Sequence, residues 1–128
     1  MRFFSDNTAS VCPEILQAIA AANRGLAAAY GDDPWTRRLD EVLGGYFGTQ
    51  VSAFAVATGT AANALALATL SPPYGAIFCH TEAHIACDEC GAPAFFSGGA
   101  QLVLLEGEHG KLTAAALAAA LEAHPVSV

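Results

Sequence analysis

Two hydrophobic patterns divide the chain near residue 50. Before it, apolar residues recur at helical spacing; after it, short apolar runs alternate with longer Ala/Leu-rich segments. Pro13 to Asn23 (PEILQAIAAAN) predicts a first helix, with Pro13 suited to a first turn that needs no N–H and Arg24-Gly25 at its end. The polar cluster AYGDDP (29–34) predicts a turn. Asp33-Pro34 then opens a second helix through about Phe47, with Trp35, Leu39, Val42, Leu43 and Phe47 at helical spacing. From Val51, VSAFAVA reads as a short buried strand, Thr58-Gly59-Thr60 as a turn, and AANALALATL as a helix ended by Pro72-Pro73. AIFC is a second strand, Glu82 to about Cys90 a helix, and AQLVLL a third strand entered through Gly98-Gly99. A polar turn at Gly107 to Lys111 precedes a helix from Thr113 to His124, and PVSV begins a fourth strand. Alternating strands and helices imply an open α/β layer architecture with a largely parallel sheet.

Composition adds a constraint. Only 13% of the residues are charged and 54% are hydrophobic, where about 25% charged is usual for a soluble domain. No charged residue occurs between Glu41 and Glu82. A free-standing domain of this length leaves much of its chain in water and needs polar surface. Some faces are therefore expected to be covered by further chain or by another subunit, and a chain ending where a fourth strand begins reads as truncated. The uncharged stretch is not read as a membrane helix, because Gly44, Gly45, Gly48, Gln50, Thr58, Asn63, Pro72 and Pro73 leave no cleanly apolar twenty-residue window. The opening MRFFSDN has no apolar core, so no export signal is expected and the reading is cytoplasmic, with Cys12, Cys79, Cys87 and Cys90 as reduced thiols. A net charge of −7, with one lysine and four arginines, argues against a nucleic-acid surface.

Chemistry concentrates in two places. The first is AFAVATGTAANALALA. A strand-to-helix turn presents unpaired N–H groups and the positive end of the helix dipole. Gly59 permits close approach, and Thr58 and Thr60 add hydroxyl donors, so the turn suits an anion such as phosphate. It is neither a P-loop, since no lysine follows, nor a GxGxxG fingerprint. A capped core helix with no ligand remains the plainer alternative.

The second is CHTEAHIACDEC (79–90), whose cysteines and histidines suggest zinc. The deaminase pattern fails, because only four residues separate His80-Thr81-Glu82 from Cys87 and no proline precedes that cysteine. A structural site from Cys79, His84, Cys87 and Cys90 is disfavoured by the expected continuous helix over Cys87–Cys90, by the missing second ligand pair, and by Asp88 and Glu89, which oppose thiolate formation. No metal is expected, and the thiols read as small buried packing residues. On a helix His84, Cys87, Asp88 and Gly91 would share one face. His84 follows the AIFC strand, at the same sheet end as the Thr-Gly-Thr turn, where open α/β sheets bind ligands. A structural role for that histidine stays open.

Together these stretches resemble a known family. FFSDN, AYGDDPWT, ATGTAANALALA, AHIACDECGAP and FFSGGAQLVLL, from about Phe4 to Leu117, are similar in order and spacing to low-specificity L-threonine aldolases, in particular to the ECGAPxFFSxG subgroup that includes phenylserine-aldolase-like members. The resemblance implies a pyridoxal-phosphate enzyme of the aspartate-aminotransferase type (fold type I). Residues 1–50 would form an N-terminal helical arm, and 51–128 the first part of the large α/β cofactor-binding domain. It implies that Thr58, Gly59 and Thr60 hold the cofactor phosphate, that His84 stacks on the pyridine ring and serves catalysis, that Ser5 lies near the substrate carboxylate, and that Tyr30 reaches toward a neighbouring subunit's site. Glu89 also matches, in a structural role. The implied reaction cleaves L-threonine and related β-hydroxy-α-amino acids to glycine and an aldehyde, in a homodimer or homotetramer. In that family the lysine that bonds the cofactor lies beyond position 128, and Lys111, the chain's only lysine, does not match its motif. The resemblance therefore implies the N-terminal part of a larger enzyme, inactive alone. The rivals are a β-eliminating lyase or aminotransferase of the same fold, and a non-catalytic cofactor-binding remnant.

Overall fold

A computed structural model describes residues 8–125. Ser5 and the residues after Pro125, where the fourth strand is expected, lie outside the described residues. The chain divides into two compact units between Ala53 and Phe54.

The first unit holds two helices. Helix α1 (Pro13–Ala22) starts on a proline, carries no side-chain cap and closes at Asn23, whose N–H donates to Ile19 O at 2.9 Å. Helix α2 (Pro34–Phe47) is better defined at both ends. Asp33 caps it by accepting from the Thr36 N–H (2.9 Å) and hydroxyl (2.6 Å), and Gly48 ends it in the left-handed region at φ 66°. The hydroxyl bond, followed by the N–H bond, holds the Asp33 carboxyl below the usual carboxylate range. Asp40 secures the chain beyond the helix by accepting from the Ala53 N–H at 2.8 Å.

The second unit carries the α/β layer. Helix α3 (Gly59–Leu70) begins at Thr58 and ends at Ser71, and a turn closed by Gly75 N–H to Pro72 O leads into strand β1 (Ala76–His80). Two short helices, α4 (His84–Cys87) and α5 (Ala92–Phe96), connect β1 to strand β2 (Gln101–Leu105). The strands pair in parallel, with Ala76 opposite Gln101 and His80 opposite Leu105, as a connection of this length permits. A 3₁₀ turn at Glu108–Gly110 precedes helix α6 (Ala114–Ala123), capped by the Thr113 hydroxyl. Helix α3 packs on α5, and α6 on β2. Among the described residues, Ala64, Ile77, Cys79, Pro93, Ala100 and Ala120 are the buried apolar ones.

Three expectations change. VSAFAVA is not a buried strand: no partner ladder runs beside it among the described residues, and Phe54 is 85% exposed. A strand exists by its neighbours' hydrogen bonds, which an apolar run alone does not supply. The helix expected over Glu82–Cys90 lasts only from His84 to Cys87, because Asp88 leaves helical geometry and Cys90 (φ 50°) and Gly91 (φ 75°) are left-handed. The unexpected α5 follows at once, with a proline in its first turn.

Candidate functional site

The N-terminus of α3 is built by Thr58. Its backbone is extended, its Oγ1 accepts from the Ala61 N–H at 3.1 Å, and its carbonyl accepts from the Ala62 N–H at 3.1 Å. The N–H groups of Gly59 and Thr60 make no hydrogen bond within the described residues. A side chain at Gly59 would meet no protein atom within 4 Å, so the backbone there is open to close approach. Thr58, Thr60, Ala61, Ala64, Leu65 and Phe96 line a depression of about 310 Å³. A larger one, about 560 Å³, lies between Phe54, Val56, Leu65, Thr69 and Leu70; no ionisable group lines it, so it offers no acid–base chemistry.

One turn into α3, Asn63 is the only amide in an Ala/Leu helix. Its Nδ2 donates to Glu89 Oε1 at 2.6 Å, and the same oxygen lies 2.8 Å from His84 Nδ1. Glu89 is 2% exposed, whereas the His84 side chain is 64% exposed. The Asn63 bond, opposed by burial and reinforced by His84, holds the Glu89 carboxyl below its ordinary range. An ionised carboxylate only accepts, so His84 Nδ1 carries the proton of this bond and Nε2 is the nitrogen left open. The chain Asn63–Glu89–His84 thus ties the histidine to the first turns of α3.

The other residues of the cysteine-rich stretch are accounted for locally. His80, at the end of β1, accepts at Nδ1 from the Glu82 N–H and so donates from Nε2 to Gly107 O, each at 2.9 Å. The Cys87 thiol donates to Thr81 O at 3.2 Å; Cys12, Cys87 and Cys90 are exposed, so of the four thiols expected to be buried only Cys79 is. Burial, then the neighbouring Cys87, pushes the Cys79 thiol up. The helical spacing invoked for Cys87 and Cys90 does not hold, since α4 ends between them. Among the described residues no three His, Cys, Asp or Glu side chains converge.

Of the expected site residues, Thr58, Gly59 and Thr60 form one contiguous turn, and His84 is joined to it through two intermediaries. Tyr30 lies in the first unit, exposed and left-handed at φ 61°. Sequence reasoning missed Asn63 altogether; its one signal was an amide alone in an apolar helix.

The threonine-capped N-terminal end of α3 is thus linked, through Asn63 and Glu89, to a histidine that follows strand β1. The chain matches the family of beta-eliminating lyases over residues 2–127 and belongs to it. A low specificity L-threonine aldolase of Pseudomonas aeruginosa is 48% identical over 116 residues, covering 91% of this chain and 34% of that protein. Another from a Pseudomonas species is 45% identical over the same shares. A solved threonine aldolase of Leishmania major matches with a TM-score of 0.84 at 25% identity, over 94% of this chain and 35% of that one. The fold is thus that of fold type I, and the chain spans about a third of the length of these relatives. No helix among the described residues is long and apolar enough to cross a membrane.

Proposed function

We propose that the chain is the N-terminal, cofactor-binding part of a pyridoxal-phosphate lyase that cleaves L-threonine and related β-hydroxy-α-amino acids to glycine and an aldehyde. The observation that carries this reading is the Asn63–Glu89–His84 link, which couples an anion-ready helix N-terminus to an open imidazole. The 48% identity to a named aldolase supports the substrate class. Gly59 and Thr60 N–H groups, with the Thr58 hydroxyl, would hold the phosphate at the positive end of α3. His84 would offer its ring face to the pyridine. Bound pyridoxal phosphate supplies the electron-withdrawing ring that takes up the electron pair left at Cα when the Cα–Cβ bond breaks. His84 Nε2 accepts the β-hydroxyl proton, directly or through one water. Ser5 and Tyr30 would serve the amino-acid substrate, Tyr30 in a neighbouring subunit of a cytoplasmic homo-oligomer.

The test uses the full-length protein that carries this chain. Threonine-dependent release of acetaldehyde and glycine is expected; formation of 2-oxobutanoate and ammonia instead would replace this reading with β-elimination. His84→Ala should weaken cofactor retention and reduce turnover further. His84→Phe should restore retention without restoring turnover. Unchanged retention and rate in His84→Ala would make the histidine structural.

A further inference from the structure

We infer that Glu89 is the positioning residue of this site: it fixes the His84 ring and its tautomer, so that Nε2 is the nitrogen presented for chemistry. The inference deepens the proposed function and rests on it for the reaction, though not for the geometry. Glu89 Oε1 receives both donors, the Asn63 amide at 2.6 Å and His84 Nδ1 at 2.8 Å, whereas Oε2 is buried with no partner among the described residues. Oε1 alone joins a donor from α3 to a donor at the start of α4, so the ring is tied to the helix whose N-terminus is proposed to hold the phosphate.

The backbone points the same way. Glu89 is followed by Cys90 at φ 50° and Gly91 at φ 75°. A non-glycine residue in the left-handed region costs about 1–2 kcal/mol, and such conformations cluster at working sites. This turn interrupts what the sequence would otherwise make a continuous helix. On that helix, His84 and Glu89, five residues apart, would project in different directions. The break brings the carboxylate back onto Nδ1. With the Nδ1 proton held by Glu89, proton transfer at Nε2 proceeds from a preset ring orientation.

The experiment takes the full-length protein, histidine-labelled with ¹⁵N, with and without pyridoxal phosphate. The His84 signal is assigned by its loss in His84→Phe. Glu89→Met keeps the side-chain length and removes the acceptor; Glu89→Gln keeps an acceptor oxygen and removes the charge. In the wild type the solid-state ¹⁵N spectrum should show the Nδ1–H form. In Glu89→Met that form should no longer dominate, and kcat should fall about tenfold or more while KM changes less than about threefold. Glu89→Gln should restore the nitrogen pattern and part of kcat. The inference is overturned if Glu89→Met keeps the Nδ1–H pattern, or if both variants lose activity in step with thermal stability and glutamine rescues neither. The nitrogen spectrum of the cofactor-free protein reads the coupling whether or not the enzyme cleaves threonine. A protein without aldolase activity whose pattern still responds to Glu89→Met therefore refutes the proposed reaction and supports the positioning role.

Discussion

Glu89 and His84 share a 2.8 Å contact, yet the carboxylate is fully covered and the imidazole is mostly open. A buried acceptor can hold a ring in place without occupying the face or the nitrogen that the ring presents outward. The same carboxylate accepts from Asn63, so helix α3 and the turn after α4 are joined through one oxygen atom.

The carboxylate makes stability depend on acid. Glu89's folded value is lowered, so its contribution is complete above the unfolded carboxylate value of about 4.3 and is lost as pH falls through the folded value. Asn63→Ala removes the largest cause of the lowering. Denaturant unfolding followed by circular dichroism should therefore find that variant less stable by a constant amount from neutrality down to pH ~6, with the gap closing as pH falls below about 4, and its acid transition should begin at higher pH. Superimposable acid transitions would show that the Asn63 bond contributes nothing.

Thr58 serves the helix as well as the proposed ligand. Thr58→Ala leaves the Ala61 N–H without its side-chain acceptor and should cost about 1 kcal/mol in thermal or denaturant unfolding. Thr58→Ser should recover most of it. Pyridoxal phosphate titration should weaken in the alanine variant beyond what the stability loss explains; equal affinity would remove the hydroxyl from the phosphate cradle.

The cysteines carry a separate expectation. With the Cys87 thiol bonded to Thr81 O and Cys90 in a left-handed turn beyond α4, purified protein should hold no stoichiometric zinc. Elemental analysis finding about one zinc per chain, lost in Cys87→Ser, would overturn this.

Helix α3 is apolar on every side, a pattern that belongs to covered helices, yet Ala64 is its only buried residue. Phe54, Leu65 and Leu70 stand exposed around the larger depression. Residues 1–128 expressed alone should bind a hydrophobic dye and self-associate, and Leu65→Glu should reduce both. A monomer that binds no dye would refute the expectation of covered faces.

Lys111 follows the 3₁₀ turn, exposed, its N–H on Glu108 O at 3.2 Å. Borohydride reduction of residues 1–128 with pyridoxal phosphate should label it no more than any surface amine. Specific labelling with threonine-dependent acetaldehyde release would show that the chain needs no other lysine.

What the sequence determined by itself is what depends on neighbours along the chain. Pro13, the Asp33-Pro34 pair and Gly48 bound the first two helices through φ restriction, capping and left-handed tolerance. Thr58 and Thr113 announce α3 and α6 in the same way, and AIFC and AQLVLL pair in parallel as their apolar runs and long connection require. The tertiary structure decided what depends on partners distant in the chain. VSAFAVA has strand composition, but hydrogen bonds from a neighbour are what make a strand. Asp88 and Glu89 have helix-compatible neighbours, but the left-handed pair Cys90-Gly91 turns the chain so that Glu89 meets both His84 and Asn63, the latter 26 residues away. Local periodicity contains no information on that closure; it arises because burying a carboxylate requires donors, and the fold supplies them from two different elements.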